Sequence, residues 1–136
     1  DLLNASQYIV LACLMTEETK GLIGEREFRA MRRDSVLVNC SRAGIVDEAA
    51  LVKALREHWI SAAAFDVLSR YPLGPEDELL SLENLNISPH MGGHSHDHPD
   101  SLFVNTVNSI IQLSKKQSPR WIVNEDVVPR WVMGTV

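Results

Sequence analysis

Arg42 lies in Asn39-Cys40-Ser41-Arg42-Ala43-Gly44, directly after an apolar run and among residues small enough for a ligand to approach closely. Its guanidinium is a planar fork of donors that suits a carboxylate; the other reading of the position is a side chain that caps a main-chain carbonyl or pairs with a neighbouring helix. His90, in Ser88-Pro89-His90-Met91-Gly92-Gly93, can trade a proton near neutral pH, and the two glycines let the backbone approach a bound molecule. A single loop histidine can also be purely structural, so the proton-transfer reading needs Arg42 beside it. Asp66 ends Ser61-Ala62-Ala63-Ala64-Phe65-Asp66, where a carboxylate either accepts a hydrogen bond from an amide ligand or closes a turn.

Other chemistries find less support. His90, His94, His96, Asp97 and His98 suggest a metal site, but alternate loop histidines lack the helix or strand scaffold that fixes ligand geometry, and no Cys or Glu stands at ligand spacing. No metal is expected. Cys13 and Cys40 each end an apolar run and are read as reduced, buried thiols.

The elements that must carry these residues follow from the apolar runs. Tyr8–Cys13, Ser35–Cys40 and Ser61–Val67 read as strands covered on both faces, because their apolar residues run on instead of alternating, and Leu85–Ser88 as a shorter fourth strand. Between them, Thr16-Glu17-Glu18-Thr19 caps a turn closed by Gly21, Gly24 opens a helix from Glu25 to Arg32, and Asp47-Glu48 begins a helix with Leu51, Ala54, Leu55 and His58 on one face. Strand and helix alternate, the pattern of an α/β parallel sheet whose ligands bind beyond the carboxyl ends of the strands. Arg42, Asp66 and His90 all lie in those loops. From Pro99 to about Lys116 the spacing of Phe103, Val107, Ile110, Ile111 and Ser114 predicts an amphipathic helix, and the tail to Val136 has the composition of an extended segment.

The chain has 136 residues, 45% hydrophobic and 23% charged, with a net charge of -5 from 13 basic and 18 acidic residues, the length of one globular domain. Its basic residues are scattered, which argues against nucleic acid as a partner. No apolar run approaches the roughly 20 residues of a membrane helix, and Asp1-Leu2-Leu3-Asn4 lacks the features of a signal peptide, so no membrane association and a cytoplasmic location are the expectations. Neither G-x-G-x-x-G nor G-x-x-x-x-G-K-[ST] occurs, so either no dinucleotide binds or the phosphate-binding half lies upstream.

Four motifs in order, Thr16–Gly24, Leu37–Leu51, Ala62–Val67 and Ser88–Gly93, resemble the C-terminal half of a D-isomer-specific 2-hydroxyacid dehydrogenase, the family of phosphoglycerate, glyoxylate and D-lactate dehydrogenases. The resemblance runs from Leu2 to about Asn124. It implies a partial Rossmann-like parallel sheet with flanking helices that lacks its first β-α-β phosphate-binding half. Residues 1–98 would be the C-terminal part of an NAD(P)-binding domain, and 99–136 a crossover helix and tail returning to a substrate domain outside this sequence. It also implies an NAD- or NADP-dependent oxidoreductase of small 2-hydroxy or 2-oxo acids, active as a homodimer. Arg42 would hold the substrate carboxylate and His90 would be the general acid/base. Cofactor contacts would fall on Cys13, Cys40, Ser41, Arg42, Asp66, His90, Gly92 and Gly93.

Two departures stand out. The family places a Glu before a Pro in the loop after Asp66, where it pairs with the histidine; here Val67-Leu68-Ser69-Arg70-Tyr71-Pro72 puts Tyr71 in that slot. The alternative reading is therefore a catalytically impaired dinucleotide-binding homologue. Cys13-Leu14-Met15-Thr16 also lacks the proline that often precedes the Thr. Without the phosphate loop this stretch alone is expected to bind a dinucleotide weakly and to be inactive.

Overall fold

The computed structural model describes residues 2–93, 99–120 and 122–124. The chain divides into two compact units, residues 1–92 and 93–136.

In the first unit, a short helix α1 (Leu2–Ala5) leads into β1 (Tyr8–Leu11), α2 (Glu25–Ala30), β2 (Val36–Asn39), α3 (Glu48–Arg56), β3 (Ala62–Phe65) and β4 (Leu85–Ile87). All four strands are parallel, in the order β1-β2-β3-β4. Parallel strands that step one way through right-handed crossovers put every connecting helix on the same face. Phe28, Leu37, Leu51, Leu55, Ile60 and Phe65 fill that side and are fully buried, each contributing about 1.5–3 kcal/mol.

On the opposite face, the cover expected from the apolar runs is not supplied by the described residues. Tyr8 and Val10 of β1 are 69% and 60% exposed, and β2 and β3 alternate buried with half-buried positions. Unbroken apolar runs are the signature of a doubly covered sheet, whereas crossovers that all run one way cover one face only.

Local chemistry fixes the helix ends. Asp47 accepts from the N–H groups of Ala49 (3.0 Å) and Ala50 (3.1 Å), a cap of about 1 kcal/mol. Helix α2 stops at Ala30, short of the predicted Arg32, because Met31 turns extended and buries its side chain. His58, expected on the buried face of α3, instead lies past its end with φ +53° and is exposed. There Trp59 N–H donates to Ala54 O and His58 N–H to Leu55 O, the paired bonds of a Schellman cap whose left-handed residue is His58.

In the second unit, α4 (Pro99–Ser114) ends in the same way. Lys116 takes φ +56°, Lys116 N–H donates to Leu113 O, and Gln117 N–H donates to Gln112 O at 2.8 Å. Phe103, Val107, Ile110 and Ile111 are exposed. His94, His96, Asp97 and His98 of the histidine cluster, and most of the tail, lie outside the described residues. No helix among the described residues is long and apolar enough to cross a membrane.

Candidate active site

Register brings the loops together. Leu11, Asn39, Phe65 and Ile87 form one row across the four strands, so the segments that follow them leave the sheet side by side. Cys13, Ser41-Arg42, Asp66 and Ser88–Gly92 all lie within a few residues of that row.

Asn39 organises the loop that carries Arg42. It is fully buried at the end of an apolar strand, and its amide is satisfied on both sides: Oδ1 accepts from Ser41 N–H (3.1 Å) and Nδ2 donates to Arg42 O (3.1 Å). Ser41 Oγ donates to Cys13 O, which ties the loop after β2 to the loop after β1. Main-chain bonds extend this seam, Gly21 N–H to Gly44 O (2.8 Å) and Ile23 N–H to Ile45 O (3.0 Å), with Gly21 at φ +64°. The sequence reading assigned Asn39 no role; its one signal was a lone amide closing Val-Leu-Val.

Arg42 is exposed, and its Nη1 donates to the adjacent Ser41 O at 2.7 Å. Among the described residues no carboxylate pairs with it. Carbonyl capping, one of the readings open in the sequence, is therefore present, and the rest of the fork is left for a ligand.

Arg42 and His90 line one cavity of about 320 Å³, with Met15, Val67, Leu68 and Tyr71 among its other walls. The phenol of Tyr71 donates to Asp66 O at 3.2 Å. Two acidic residues of the same loop, Asp77 and Glu78, are engaged elsewhere. Asp77 takes two bonds from Arg70, 2.8 and 2.9 Å, and Glu78 pairs with Arg56 at 3.1 Å. Arg70 also bonds Glu48, which in turn accepts from Ser69.

Asp66 closes the site from the other side. Its Oδ1 accepts from Ser88 Oγ and from Met91 N–H (2.8 Å), and its Oδ2 accepts from Gly92 N–H (2.7 Å). These bonds, the Ser88 hydroxyl foremost, hold the Asp66 carboxyl below its ordinary pKa against the opposing effect of burial, and positive charge on His90 acts in the same direction. A depressed carboxylate contributes stability that is present above its unfolded pKa and lost as pH falls through the folded one. Met91 and Gly92 amide resonances are thus expected to titrate together with Asp66 at a pH below the ordinary Asp value of 3.8, read by NMR. A midpoint at or above that value would mean the carboxylate is not held this way.

A Cβ on Gly92 would lie 2.8 Å from Asp66 Oδ2, so only glycine lets the main chain come this close. Gly93 would meet nothing within 4 Å. Cys13 is half-buried and Cys40 is exposed, both as free thiols; the expected burial of Cys40 is not met because it stands beyond the strand end. Cys40 borders a second hollow of about 200 Å³ at the strand ends, with Val38, Ala64, Phe65, Asp66 and Ser88. Val38, Ala64 and Phe65 beside a carboxylate with acceptor capacity left on Oδ2 could hold a flat heterocycle bearing an amide.

Comparison with known proteins agrees with this architecture. Residues 1–92 match the family described as D-isomer specific 2-hydroxyacid dehydrogenase, NAD binding domain. A glyoxylate reductase of Korarchaeum cryptofilum is 39% identical over 127 residues, 93% of this chain and 38% of the relative. Among solved structures, D-lactate dehydrogenase with NAD+ from Lactobacillus jensenii superposes with a TM-score of 0.79 at 26% identity, covering 89% of this chain and 40% of that one. A D-isomer specific 2-hydroxyacid dehydrogenase from Xanthobacter autotrophicus Py2 in complex with NADPH and MES gives 0.70 at 29% identity, covering 95% and 51%. The chain thus spans well under half the length of the curated relatives it matches. On the match to two thirds of its length, the chain belongs to the D-isomer specific 2-hydroxyacid dehydrogenase family and corresponds to part of its NAD-binding domain.

Proposed function

We propose that the full-length protein is an NAD(P)-dependent oxidoreductase of 2-hydroxy and 2-oxo acids. What carries the reading is the shared cavity, in which a guanidinium with no carboxylate partner among the described residues faces the same space as a histidine. Arg42 binds the substrate carboxylate and polarises the neighbouring keto oxygen. His90 gives that oxygen a proton during reduction and takes it back from the hydroxyl during oxidation. The chemistry a nicotinamide supplies when bound is hydride transfer at the carbonyl carbon. Main chain around Cys13, Cys40, Ser41, Gly92 and Gly93 borders the cofactor, and the free acceptor position on Asp66 Oδ2 receives its amide.

The test is oxidation of NADH or NADPH by the full-length protein with glyoxylate, hydroxypyruvate or pyruvate. Turnover with at least one of them is expected; no turnover with any of them, in a protein that still gains thermal stability from the nucleotide, would favour a second reading.

That second reading, a dinucleotide-binding homologue with impaired catalysis, draws on Tyr71. The phenol stands where the family resemblance places the histidine's Glu, and Asp77 and Glu78 are held by arginines. Imidazolium next to a carboxylate is favoured, next to a phenol it is not. Tyr71→Glu is therefore expected to raise kcat about tenfold, equivalent to about 1.4 kcal/mol in the barrier, in steady-state assays. An unchanged kcat would show that Tyr71 does not limit the reaction.

A further inference from the structure

Three residues other than glycine adopt a left-handed backbone among the described residues: His58, His90 and Lys116. His58 and Lys116 close helices, where that conformation recurs for a known reason. His90, at φ +56°, closes none. An L-residue with a large side chain seldom holds this conformation unless its surroundings impose it.

The surroundings are fixed on both sides of His90. Before it, Ser88 N–H donates to Phe65 O (3.0 Å) and Ser88 Oγ donates to Asp66 Oδ1. After it, Met91 N–H and Gly92 N–H donate to the two oxygens of the same carboxylate. His90 N–H itself turns back to Ser88 O at 3.0 Å. Asp66 thus grips residues 88, 91 and 92, and the backbone of His90 cannot relax without breaking one of these bonds. Ser88 is the one member of the grip that acts through its side chain on the histidine's own loop.

We propose that Ser88, acting through Asp66, is a positioning residue that holds His90 in its left-handed conformation at the Arg42 cavity. The proposal rests on the 2-oxo acid reading above. Removing the Ser88 hydroxyl takes one bond from the carboxylate and creates no core cavity, so the loop loosens while the sheet stays intact. The imidazole then spends less time aligned with a substrate oxygen, which lowers kcat and spares binding that depends on Arg42.

The experiment compares full-length wild type with Ser88→Ala and Ser88→Thr. For Ser88→Ala, kcat is expected to fall about tenfold with the KM for the 2-oxo acid unchanged, and Ser88→Thr, which keeps the hydroxyl, to return within about twofold of wild type. The second measurement is independent of turnover. A strong intraresidue Hα–HN NOE at His90, the mark of positive φ, is expected in wild type and Ser88→Thr and lost in Ser88→Ala. Retention of that NOE in Ser88→Ala, or an unchanged kcat, would overturn the positioning role. Should wild type reduce no 2-oxo acid, the functional reading fails, and the NOE alone decides whether Ser88 holds the loop.

Discussion

Arg42→Ala in the full-length protein is expected to lower kcat/KM for 2-oxo acid reduction by about 10²- to 10³-fold, or about 3–4 kcal/mol, the usual cost of removing one partner of a desolvated charge pair. The loss should fall on both parameters, because the guanidinium holds the carboxylate in the ground state and polarises the keto oxygen as negative charge develops there. Arg42→Lys keeps the charge but not the planar fork, so it should recover only a small part of the activity. Stability should move little. Arg42 is exposed, its hydrogen bond goes to its own neighbour Ser41 O, and Asn39 holds the loop through the main chain of residue 42, which the substitution leaves in place. Steady-state kinetics and thermal unfolding of the three proteins check this. A large fall in melting temperature, or kcat/KM within a few-fold of wild type, would remove Arg42 from the carboxylate-binding role.

Much of this candidate site is legible in the sequence, for a topological reason. Apolar runs separated by helical patterns imply parallel strands, and parallel strands joined by crossovers bring their exit loops to one edge. Arg42, Asp66 and His90 are far apart in sequence, yet each directly follows a run of that kind, so their meeting follows from the order of elements. What could not be read depends on how individual lone pairs are shared once the chain is folded. Ser88 and Asn39 look like ordinary polar residues next to strands; only the closed fold shows that one feeds a carboxylate and the other bridges two main-chain groups. His58 fits a helical periodicity until the cap claims it, since periodicity does not say where a helix ends. The second face of the sheet illustrates a related limit of periodicity: an apolar run records that a strand is to be covered and leaves unstated which segment covers it.

Tyr71 shows how a substitution can alter the site without changing its frame. Its hydroxyl bonds the main-chain oxygen of Asp66, the residue whose carboxylate grips the histidine loop, so the aromatic side chain is built into the support of the site as well as into its wall. Carboxylate charge near His90 then comes from Asp66, which already accepts three hydrogen bonds from Ser88, Met91 and Gly92. On the proposed reading, proton transfer therefore depends on how the grip on residues 88, 91 and 92 aims His90.

That dependence sets the second large effect. His90→Asn should lower kcat about 10²- to 10⁴-fold, the range for loss of a general acid/base. Asn is the informative replacement because it tolerates φ near +56° better than most residues, so the main chain and the bonds from Met91 and Gly92 to Asp66 survive while the imidazole is removed. His90→Gly serves as the complement. Glycine is unstrained at this φ and leaves a gap of imidazole size at the cavity that Arg42 lines. If His90 moves the proton, imidazole added to the assay should restore part of the lost rate in His90→Gly and none in His90→Asn, where the amide fills the gap. Were the histidine present only to shape the loop, His90→Asn would keep most of its activity and added imidazole would change neither variant; rate measurements across an imidazole titration separate the two outcomes.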